Sequence, residues 1–314
     1  PARTVAYGSF VSEIKTTNEI TEMTTVGPDG LKNTLNPEMV IGHEPLRQYL
    51  IPFPGGRLQP SELAWDPHND EWFDVFGDEN RHPNEWGHWS NRGMNWNSQC
   101  AFCHMTFYEK GYNISTDQYD SKWHEQGVTC LQCHGPMNNH AKSVTEPSYE
   151  RQPIDDNKIL DNCASCHSRR ENLTGEFKTG EDFHDHFRLS LPTVEGLYYP
   201  DGQIRDEVYV YGSFKMSKMG QAGVSCLDCH DPHNAKLILP VENNLLCLRC
   251  HNAPGLKNAT IILPETHSHH PVGSTGNQCV ECHMPTTTYM QRDERRDHGF
   301  IIPDPLLTKE LDIP

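Results

Sequence analysis

Cys226-Leu-Asp-Cys229-His230 is one of six copies of a Cys-x-x-Cys-His pentapeptide that decide how this chain folds. The chain contains 12 cysteines, and the six copies use all of them. This pattern is typical of c-type haem attachment, because two thiols form thioether bonds to one porphyrin and the adjacent histidine ligates its iron. The predicted attachment residues are Cys100, Cys103, Cys130, Cys133, Cys163, Cys166, Cys226, Cys229, Cys247, Cys250, Cys279 and Cys282. The predicted proximal iron ligands are His104, His134, His167, His230, His251 and His283.

Zinc ribbons, iron–sulfur clusters and disulfides also use cysteine, but they fit this pattern less well. Zinc and iron–sulfur sites employ Cys-x-x-Cys pairs without requiring a histidine directly after the second cysteine of every pair. Disulfide bonds do not account for a histidine after each pair, and no cysteine lies outside the motifs. The sequence therefore predicts six covalently attached haem c groups as cofactors.

The composition agrees with this prediction. Only 35% of the 314 residues are hydrophobic, and the mean hydropathy is −0.71. Six porphyrins would supply the apolar surface that such a chain lacks. We expect a multihaem cytochrome fold organised by its haems, with mostly loops and short α-helices and a small N-terminal part that contains β-hairpins. The predicted domains are a haem-free segment with short strands at 1–95 and a hexahaem cytochrome domain at 96–314, whose last residues, 301–314, are expected to be extended.

The net charge argues against nucleic acid as a partner, and the hydropathy argues against a membrane-spanning segment. The net charge of −17 argues against nucleic acid, because phosphate binding requires clustered Lys and Arg. No apolar run reaches the roughly 18 residues of a membrane span, so we expect a protein that does not cross a membrane. The sequence starts at Pro1 without an initiator Met, as expected if a leader had been removed.

Each iron has room for a second axial ligand, and histidine is abundant enough to supply it. Six of the 19 histidines belong to the motifs, which leaves more spare histidines than irons. His233 follows His230 by three residues, so it would have to serve a different haem, and His140 is nearly as restricted relative to His134. Methionine is the alternative ligand type and would raise the reduction potential. The methionine candidates are Met105, Met137, Met284 and Met290.

Several further stretches resemble one known family. They are residues 49–57 (YLIPFPGGR), Trp65-Asp66, His88-Trp89, Asn95-Trp96-Asn97, residues 133–136 (CHGP) with His140, residues 207–214 (EVYVYGSF), Asp231-Pro232-His233, residues 282–285 (CHMP) and residues 295–298 (RRDH). Together they resemble periplasmic or surface multihaem c-type cytochromes that often carry C-terminal tetratricopeptide repeats. That family is distantly related to the tetrahaem cytochrome of nitrifying bacteria, pentahaem nitrite reductase and octahaem hydroxylamine oxidoreductase. Residues up to Pro314 contain no such repeats.

The resemblance implies which histidines recur as second ligands, and it offers seven of them for six irons. We take six as the distal ligands: His88, His140, His186, His233, His270 and His298. His267 is a further candidate, because the pattern hardly separates it from His270. Independently of the resemblance, His43 in the haem-free start of the chain is a possible ligand, and with His68 and His82 it would suit ligation of a haem in a neighbouring copy.

Two functions remain open at this point. The first is electron transfer along closely packed bis-histidine haems, with other redox proteins as partners. One form of it is a polymer of copies of this chain, in which a histidine of one subunit ligates a haem of the next, as in filament-forming nanowire cytochromes. The second is a reductase or oxidoreductase of a small nitrogen or sulfur compound, which needs one open iron site.

The residues favour the electron carrier over the enzyme. All six motifs end in histidine, whereas the related nitrite reductases place a lysine at the catalytic haem. Covalent haem implies, by the same resemblance, a protein outside the cytoplasm. We expect a secreted protein at the cell surface or exterior, with the periplasm as the alternative.

Overall fold

The computed structural model describes residues 2–7, 10–17, 20–135, 156–255 and 259–314. The chain forms two compact units, and each is described separately below. The first unit comprises residues 1–150, 174–179 and 288–294, and the second comprises 151–173, 180–287 and 295–314. The first two pentapeptide motifs belong to the first unit and the other four to the second. The predicted boundary near residue 95 marks where the motif region begins, and it stays a prediction.

The first unit opens with a four-stranded antiparallel sheet whose strands lie in chain order. Side chains in the middle of strand β2 alternate, so that Ser12 and Ile14 are buried while Glu13 and Lys15 face solvent. A turn at residues 27–30 leads into the last strand, with the Gly30 amide donating to the Gly27 carbonyl at 3.0 Å. The strands are β1 Ala2–Tyr7, β2 Phe10–Thr17, β3 Ile20–Val26 and β4 Lys32–Leu35.

A second antiparallel sheet of four strands follows, again in chain order. Gly55 and Gly56 form the tight turn between its two longest strands, and both have positive φ (76° and 72°), which glycine adopts without a steric penalty. The strands are β5 Met39–Ile41, β6 Arg47–Phe53, β7 Arg57–Asp66 and β8 Glu71–Asp74. The expectation of short N-terminal strands and hairpins is confirmed.

An apolar cluster and a hydrogen bond between polar side chains join strands of the two sheets. Ile14, Met23 and Leu63 are 1%, 0% and 0% exposed and form one cluster. Beside it, the Thr25 hydroxyl donates to a Glu62 carboxylate oxygen at 2.7 Å. Ordinary burial of aliphatic side chains therefore stabilises this region.

The first two motifs follow in short elements. Asn95 caps the helix before the first motif, because its side-chain oxygen accepts from the Ser98 amide at 3.2 Å. The elements are a 3-10 turn Arg92–Met94, α1 Trp96–Gln99, α2 Ala101–His104, β9 Met105–Thr106, β10 Tyr112–Asn113, β11 Gln118–Tyr119, β12 Glu125–Gln126 and α3 Cys130–His134.

The chain from residue 156 onward is built from short helices and two-stranded ladders, with a 12-residue helix at its start. Its helices are α4 Asp156–His167, α5 Phe183–His186, α6 Tyr211–Met216, α7 Lys218–Gln221, α8 Leu245–His251, α9 Pro264–His267, α10 Cys279–His283 and α11 Pro305–Leu311. Its strands are β13 Arg170–Asn172, β14 Phe187–Leu189, β15 His230–Asp231, β16 Lys236–Leu237, β17 Thr286–Tyr289 and β18 Asp293–Arg296. Two 3-10 turns span Cys226–Asp228 and Thr275–Asn277. Within the described parts of the chain, no helix has the length and apolar character needed to cross a membrane.

The expectation of an extended C-terminus is wrong. Residues Pro305–Leu311 form helix α11, and the Asp304 side chain accepts hydrogen bonds from the amides of Leu306 and Leu307, both at 3.1 Å. Asp at the N-cap followed by Pro at the first helical position is a helix-start signal. The proline therefore begins a helix here and does not prevent one.

Candidate functional site

Each pentapeptide motif lies on about one turn of helix. Five motifs end an α-helix with their histidine, and the fourth occupies the 3-10 turn Cys226–Asp228 followed by His230. Residues three apart on a helix face the same side, so the two thiols of a motif project together. This local geometry is the one that two thioether bonds to a single porphyrin require.

Two motif histidines are held in one tautomer by backbone carbonyls. The Nδ1 atom of His251 lies 2.9 Å from the Thr260 carbonyl oxygen, and that of His283 lies 2.6 Å from the Ile301 oxygen. A carbonyl only accepts, so Nδ1 carries the proton and donates it. The Nε2 atom is then left with its lone pair, which is the state that binds a metal.

His298 shows the same arrangement without belonging to a motif. Its Nδ1 donates to the Arg296 carbonyl at 2.9 Å. Its ring lies nearly parallel to that of the motif residue His230, with 6.2 Å between ring centroids and 23° between planes. This separation lies within the ordinary range for neighbouring rings. Two imidazoles that held one metal between them would also have their centroids about this far apart, since each nitrogen binds a transition metal at about 2 Å.

His267 and the motif residue His283 form a second parallel pair. Their centroids are 6.0 Å apart and their planes differ by 19°. The ring of His270, the residue preferred from the sequence, instead covers Gly276, where an added Cβ would lie 2.6 Å from the His270 Nδ1 atom. The geometry thus brings His267 to the sixth motif.

Burial favours the neutral form of several of these imidazoles. It lowers the pKa of the motif residues His104, His167 and His230, and it is also the largest cause of the lowered pKa of His298. Burial lowers the pKa of His88 to about 4, although Glu85 opposes the shift. A neutral imidazole is the form that ligates iron, so these residues need not lose a proton to bind it.

The other predicted second ligands differ in their surroundings. The Nδ1 atom of His88 lies 2.8 Å from the Ser90 hydroxyl, and its side chain is buried. The Nε2 atom of His186 lies 3.2 Å from a Glu181 carboxylate oxygen, with the imidazole 15% exposed. The side chain of His233 is 77% exposed. His140 lies outside the described residues.

Thiol contacts connect neighbouring motifs in the second unit. The Cys226 sulfur is hydrogen-bonded to Cys163, which lowers the pKa of Cys226. The Cys279 sulfur is hydrogen-bonded to Cys247, which lowers the pKa of Cys279. The third motif therefore contacts the fourth, and the fifth contacts the sixth, each through the first cysteine.

A backbone contact joins these two pairs of motifs. The Arg249 guanidinium donates to the Asp228 carbonyl at 3.1 Å, so the fifth motif also contacts the fourth. The four motifs of the second unit thus follow one another in space in the order of the chain.

The two motifs of the first unit are also neighbours. The Phe107 amide donates to the Gln132 side-chain oxygen at 2.9 Å, and the Thr129 amide donates to the Thr106 hydroxyl at 2.9 Å. These bonds join the segment after the first motif to the start of the second. Haem groups attached at the two motifs would therefore be close to each other.

Sequence reasoning named His267 as a further candidate but did not pair it with His283, and it did not predict the contacts between motifs. Leu263-Pro264-Glu265 carries a helix-start signal, with Pro264 at the first position of α9. That signal fixes His267 at the end of a helical turn and could have separated it from His270. The thiol contacts join residues far apart in the chain, and no local pattern predicts them.

Two protein-family models match parts of the chain. The model described as cytochrome c554 and c-prime matches residues 67–135, which contain the first two motifs. The model described as doubled CXXCH motif matches residues 219–255, which contain the fourth and fifth. Neither the search of curated proteins nor the search of solved structures found a match. The two matches and the repeated pentapeptide support a multihaem c-type cytochrome that binds haem c covalently.

Proposed function

We propose that this chain is a six-haem c-type cytochrome that transfers electrons along closely packed bis-histidine haems, outside the cytoplasm. The observation that carries the proposal is the pair of parallel imidazole arrangements, His230 with His298 and His267 with His283. Each joins a motif histidine to a second histidine at the separation that two axial ligands of one iron would have. A six-coordinate iron has no position for a substrate, which favours electron transfer over catalysis.

Haem c supplies reversible one-electron chemistry at its iron. The protein's own residues set the conditions for that chemistry. The carbonyls of Thr260, Ile301 and Arg296 orient the imidazoles of His251, His283 and His298. With haem bound, these bonds would raise the basicity of the ligating nitrogens and so favour the oxidised iron.

The proposed count of six haems rests on the six copies of the motif together with the contacts between motifs. The third and sixth motifs lie outside both matched regions. Each nevertheless touches a motif inside the doubled-CXXCH match, through Cys163 with Cys226 and through Cys279 with Cys247. This placement favours attachment of haem at all four motifs of the second unit.

Haem content and spin state test the proposal directly. We expect the purified protein to be red, with an intact mass above that of the polypeptide by six haem units and a pyridine haemochrome assay giving six haems per chain. Electron paramagnetic resonance of the oxidised protein should show low-spin signals only. A colourless protein with the mass of the bare polypeptide would overturn the proposal.

Filament formation is the finer form of this proposal. The exposed His68, on the first unit, has a side chain that is 61% exposed and available to a neighbouring copy. A ligand shared between subunits would make copies of this chain redox partners of one another. Negative-stain microscopy at high protein concentration tests it, and dispersed particles alone would contradict it.

The alternative function is reduction or oxidation of a small nitrogen or sulfur compound. It is favoured by a cavity of about 850 Å³ in the first unit, whose lining includes the motif residue His104. Against an anionic substrate, two arginines of the basic stretch 292–296 are paired within the second unit: Arg295 with Glu207 at 2.5 Å and Arg296 with Glu281 at 2.7 Å. A high-spin haem together with turnover of nitrite, hydroxylamine or tetrathionate would establish the enzyme.

A further inference from the structure

Two buried asparagines join the segments around the sixth motif. Asn244 directly precedes helix α8, which carries the fifth motif, and Asn277 ends the 3-10 turn before helix α10, which carries the sixth. Their exposed fractions are 5% and 7%. The Asn244 side-chain nitrogen donates to the Asn277 carbonyl at 2.8 Å, and its side-chain oxygen accepts from the Cys279 amide at 2.9 Å. The start of α10 is therefore held from the side of the fifth motif.

The side chain of Asn277 contacts a third segment, helix α9. Its nitrogen donates to the Pro264 carbonyl at 3.2 Å and to the Ser268 hydroxyl at 2.8 Å. Pro264 is the first residue of α9, and Ser268 directly follows its last residue, His267. One amide group thus contacts both ends of the turn that carries His267, and it uses both of its protons to do so.

Helix α9 depends on such contacts because it is only one turn long. It comprises four residues, Pro264–His267, and buries none of their side chains. A single helical turn is not stable by itself in water, so contacts with the rest of the protein have to hold it. The two bonds from Asn277 come from the segment that leads into the sixth motif. They therefore fix the position of His267 relative to the motif residue His283.

His270 lies close enough in the chain to compete with His267. The His270 amide donates to the same Ser268 hydroxyl at 3.2 Å, and its ring covers Gly276. The His267 ring lies nearly parallel to that of His283, with 6.0 Å between centroids. The two candidates are three residues apart, so the position of this segment decides which imidazole is presented to His283.

We propose that Asn277 is a positioning residue for the haem attached at Cys279 and Cys282. By holding both ends of α9, it makes His267, and not His270, the second axial ligand opposite His283. This inference rests on the proposed function, and it deepens that function by naming the group that selects the ligand. Asn277 acts through the turn that carries His267 and does not itself ligate the iron.

The test replaces Asn277 by aspartate in the haem-loaded full-length protein. Aspartate has nearly the same size, but its carboxylate donates no hydrogen bond and would face two acceptors, the Pro264 carbonyl and the Ser268 hydroxyl. The substitution is made in a His270→Ala chain, so that the His270 imidazole cannot replace that of His267.

Asn243→Asp in the same His270→Ala chain is the matched control. It adds the same negative charge next to Asn244. The side chain of Asn243 is exposed, and its oxygen accepts from the Leu245 amide at 3.2 Å, as an aspartate oxygen would. The control therefore keeps its hydrogen bond, whereas Asn277→Asp loses both of those that its side chain donates.

We expect His270→Ala, alone or with Asn243→Asp, to keep its haems low-spin in electron paramagnetic resonance. Adding Asn277→Asp should convert up to one sixth of the haem to high-spin, the share of one motif in six. The reduced variant should gain up to one carbon monoxide site per chain, and added imidazole should restore the low-spin signal. Rescue by a free ligand distinguishes a displaced histidine from a general loss of structure.

Two outcomes would overturn the proposal and leave the six-haem protein intact. The first is a spectrum of the Asn277→Asp chain that equals that of the Asn243→Asp control. The second is high-spin haem in His270→Ala alone, because His270 would then be the ligand. A wild-type protein without haem would instead refute the proposed function itself.

Ser268→Ala decides the question if Asn277→Asp prevents haem attachment at the sixth motif. It removes one of the two groups that accept from Asn277 and adds no charge. We expect a smaller gain of high-spin haem in the His270→Ala chain, again reversed by imidazole. No gain of high-spin haem in this variant would contradict the proposal.

Discussion

In the N-terminal sheets, Ile14, Met23 and Leu63 are almost completely buried, whereas in the second unit helix α8 buries none of its described side chains. The same holds for the described side chains of helices α9 and α11. The second unit also buries apolar side chains, among them Phe183, Phe187 and the cluster around Tyr198, but these lie outside residues 226–267. The comparison teaches that apolar burial stabilises the sheets, while residues 226–267 of the second unit, whose motifs meet their neighbours through thiols, have little of it.

The largest effect is expected from a full-length chain made without haem attachment. Residues of strands β5–β8 should keep amide protection, because their core consists of buried side chains and ladder hydrogen bonds. Residues 226–267 of the second unit should lose most of their protection, since no hydrophobic side chain described there is buried to offset the conformational entropy of the loops. Hydrogen–deuterium exchange resolved by peptide measures both regions in one experiment. Equal amide protection in the two regions would contradict the proposed difference in how they are stabilised.

Removal of a single axial ligand should have a smaller effect, and it should be confined to the haems and the stability of the second unit. His267→Ala removes the imidazole opposite His283, and we expect about one of six haems to become high-spin. Loss of a metal ligand should also destabilise the second unit by about 2 kcal/mol. Electron paramagnetic resonance and denaturant unfolding followed by haem absorbance measure these changes.

His270→Ala is the matched control for that variant. Both histidines lie in the same short segment, but the His270 ring covers Gly276. We expect its haems to stay low-spin. The reverse result, with high-spin haem in His270→Ala and none in His267→Ala, would restore the assignment made from the sequence.

The motifs and the N-terminal hairpins could be predicted from the sequence because their signals are local. Gly55-Gly56 requires a tight turn, and Cys-x-x-Cys-His specifies one chemistry. The His267 pairing and the contact between Cys163 and Cys226 depend on how distant segments fold, and no residue pattern contains that information. The C-terminal helix differs from the extended structure that its prolines predict, because Asp304 caps the helix that Pro305 begins.

The stability of the first unit should depend on pH because of one buried carboxyl group, that of Asp74. Burial raises the pKa of this carboxyl to about 7, with Glu62 adding to the shift and the Phe76 amide and Arg81 opposing it. The unfolded chain then loses this proton at lower pH than the folded chain, so the stability of the first unit should fall as pH rises from about 4 to about 7. We expect a loss of about 2 kcal/mol, less than the full linkage value because solvent screens part of the site.

Asp74→Asn should remove most of this pH dependence. Amide exchange in strands β7 and β8, measured at pH 5 and pH 8, reports on the first unit separately from the haems. A wild-type chain whose sheets are equally stable at both values would show that the carboxyl titrates normally. A variant that keeps the full dependence would assign it to another group, with Glu62 the nearest candidate.

The smallest effect is expected from the ion pair between Arg188 and Glu171, which joins strands β13 and β14 at 2.5 Å. Both side chains are more than 60% exposed, so solvent and salt weaken their attraction. Arg188→Ala should change the stability of the second unit by less than about 0.5 kcal/mol. By contrast, Arg292→Ala in the first unit should cost roughly 1–2 kcal/mol, because it leaves the buried carboxylate of Asp66 without its cation. Denaturant unfolding of the two variants measures the difference, and a larger loss from Arg188→Ala would mean that surface charge stabilises the second unit.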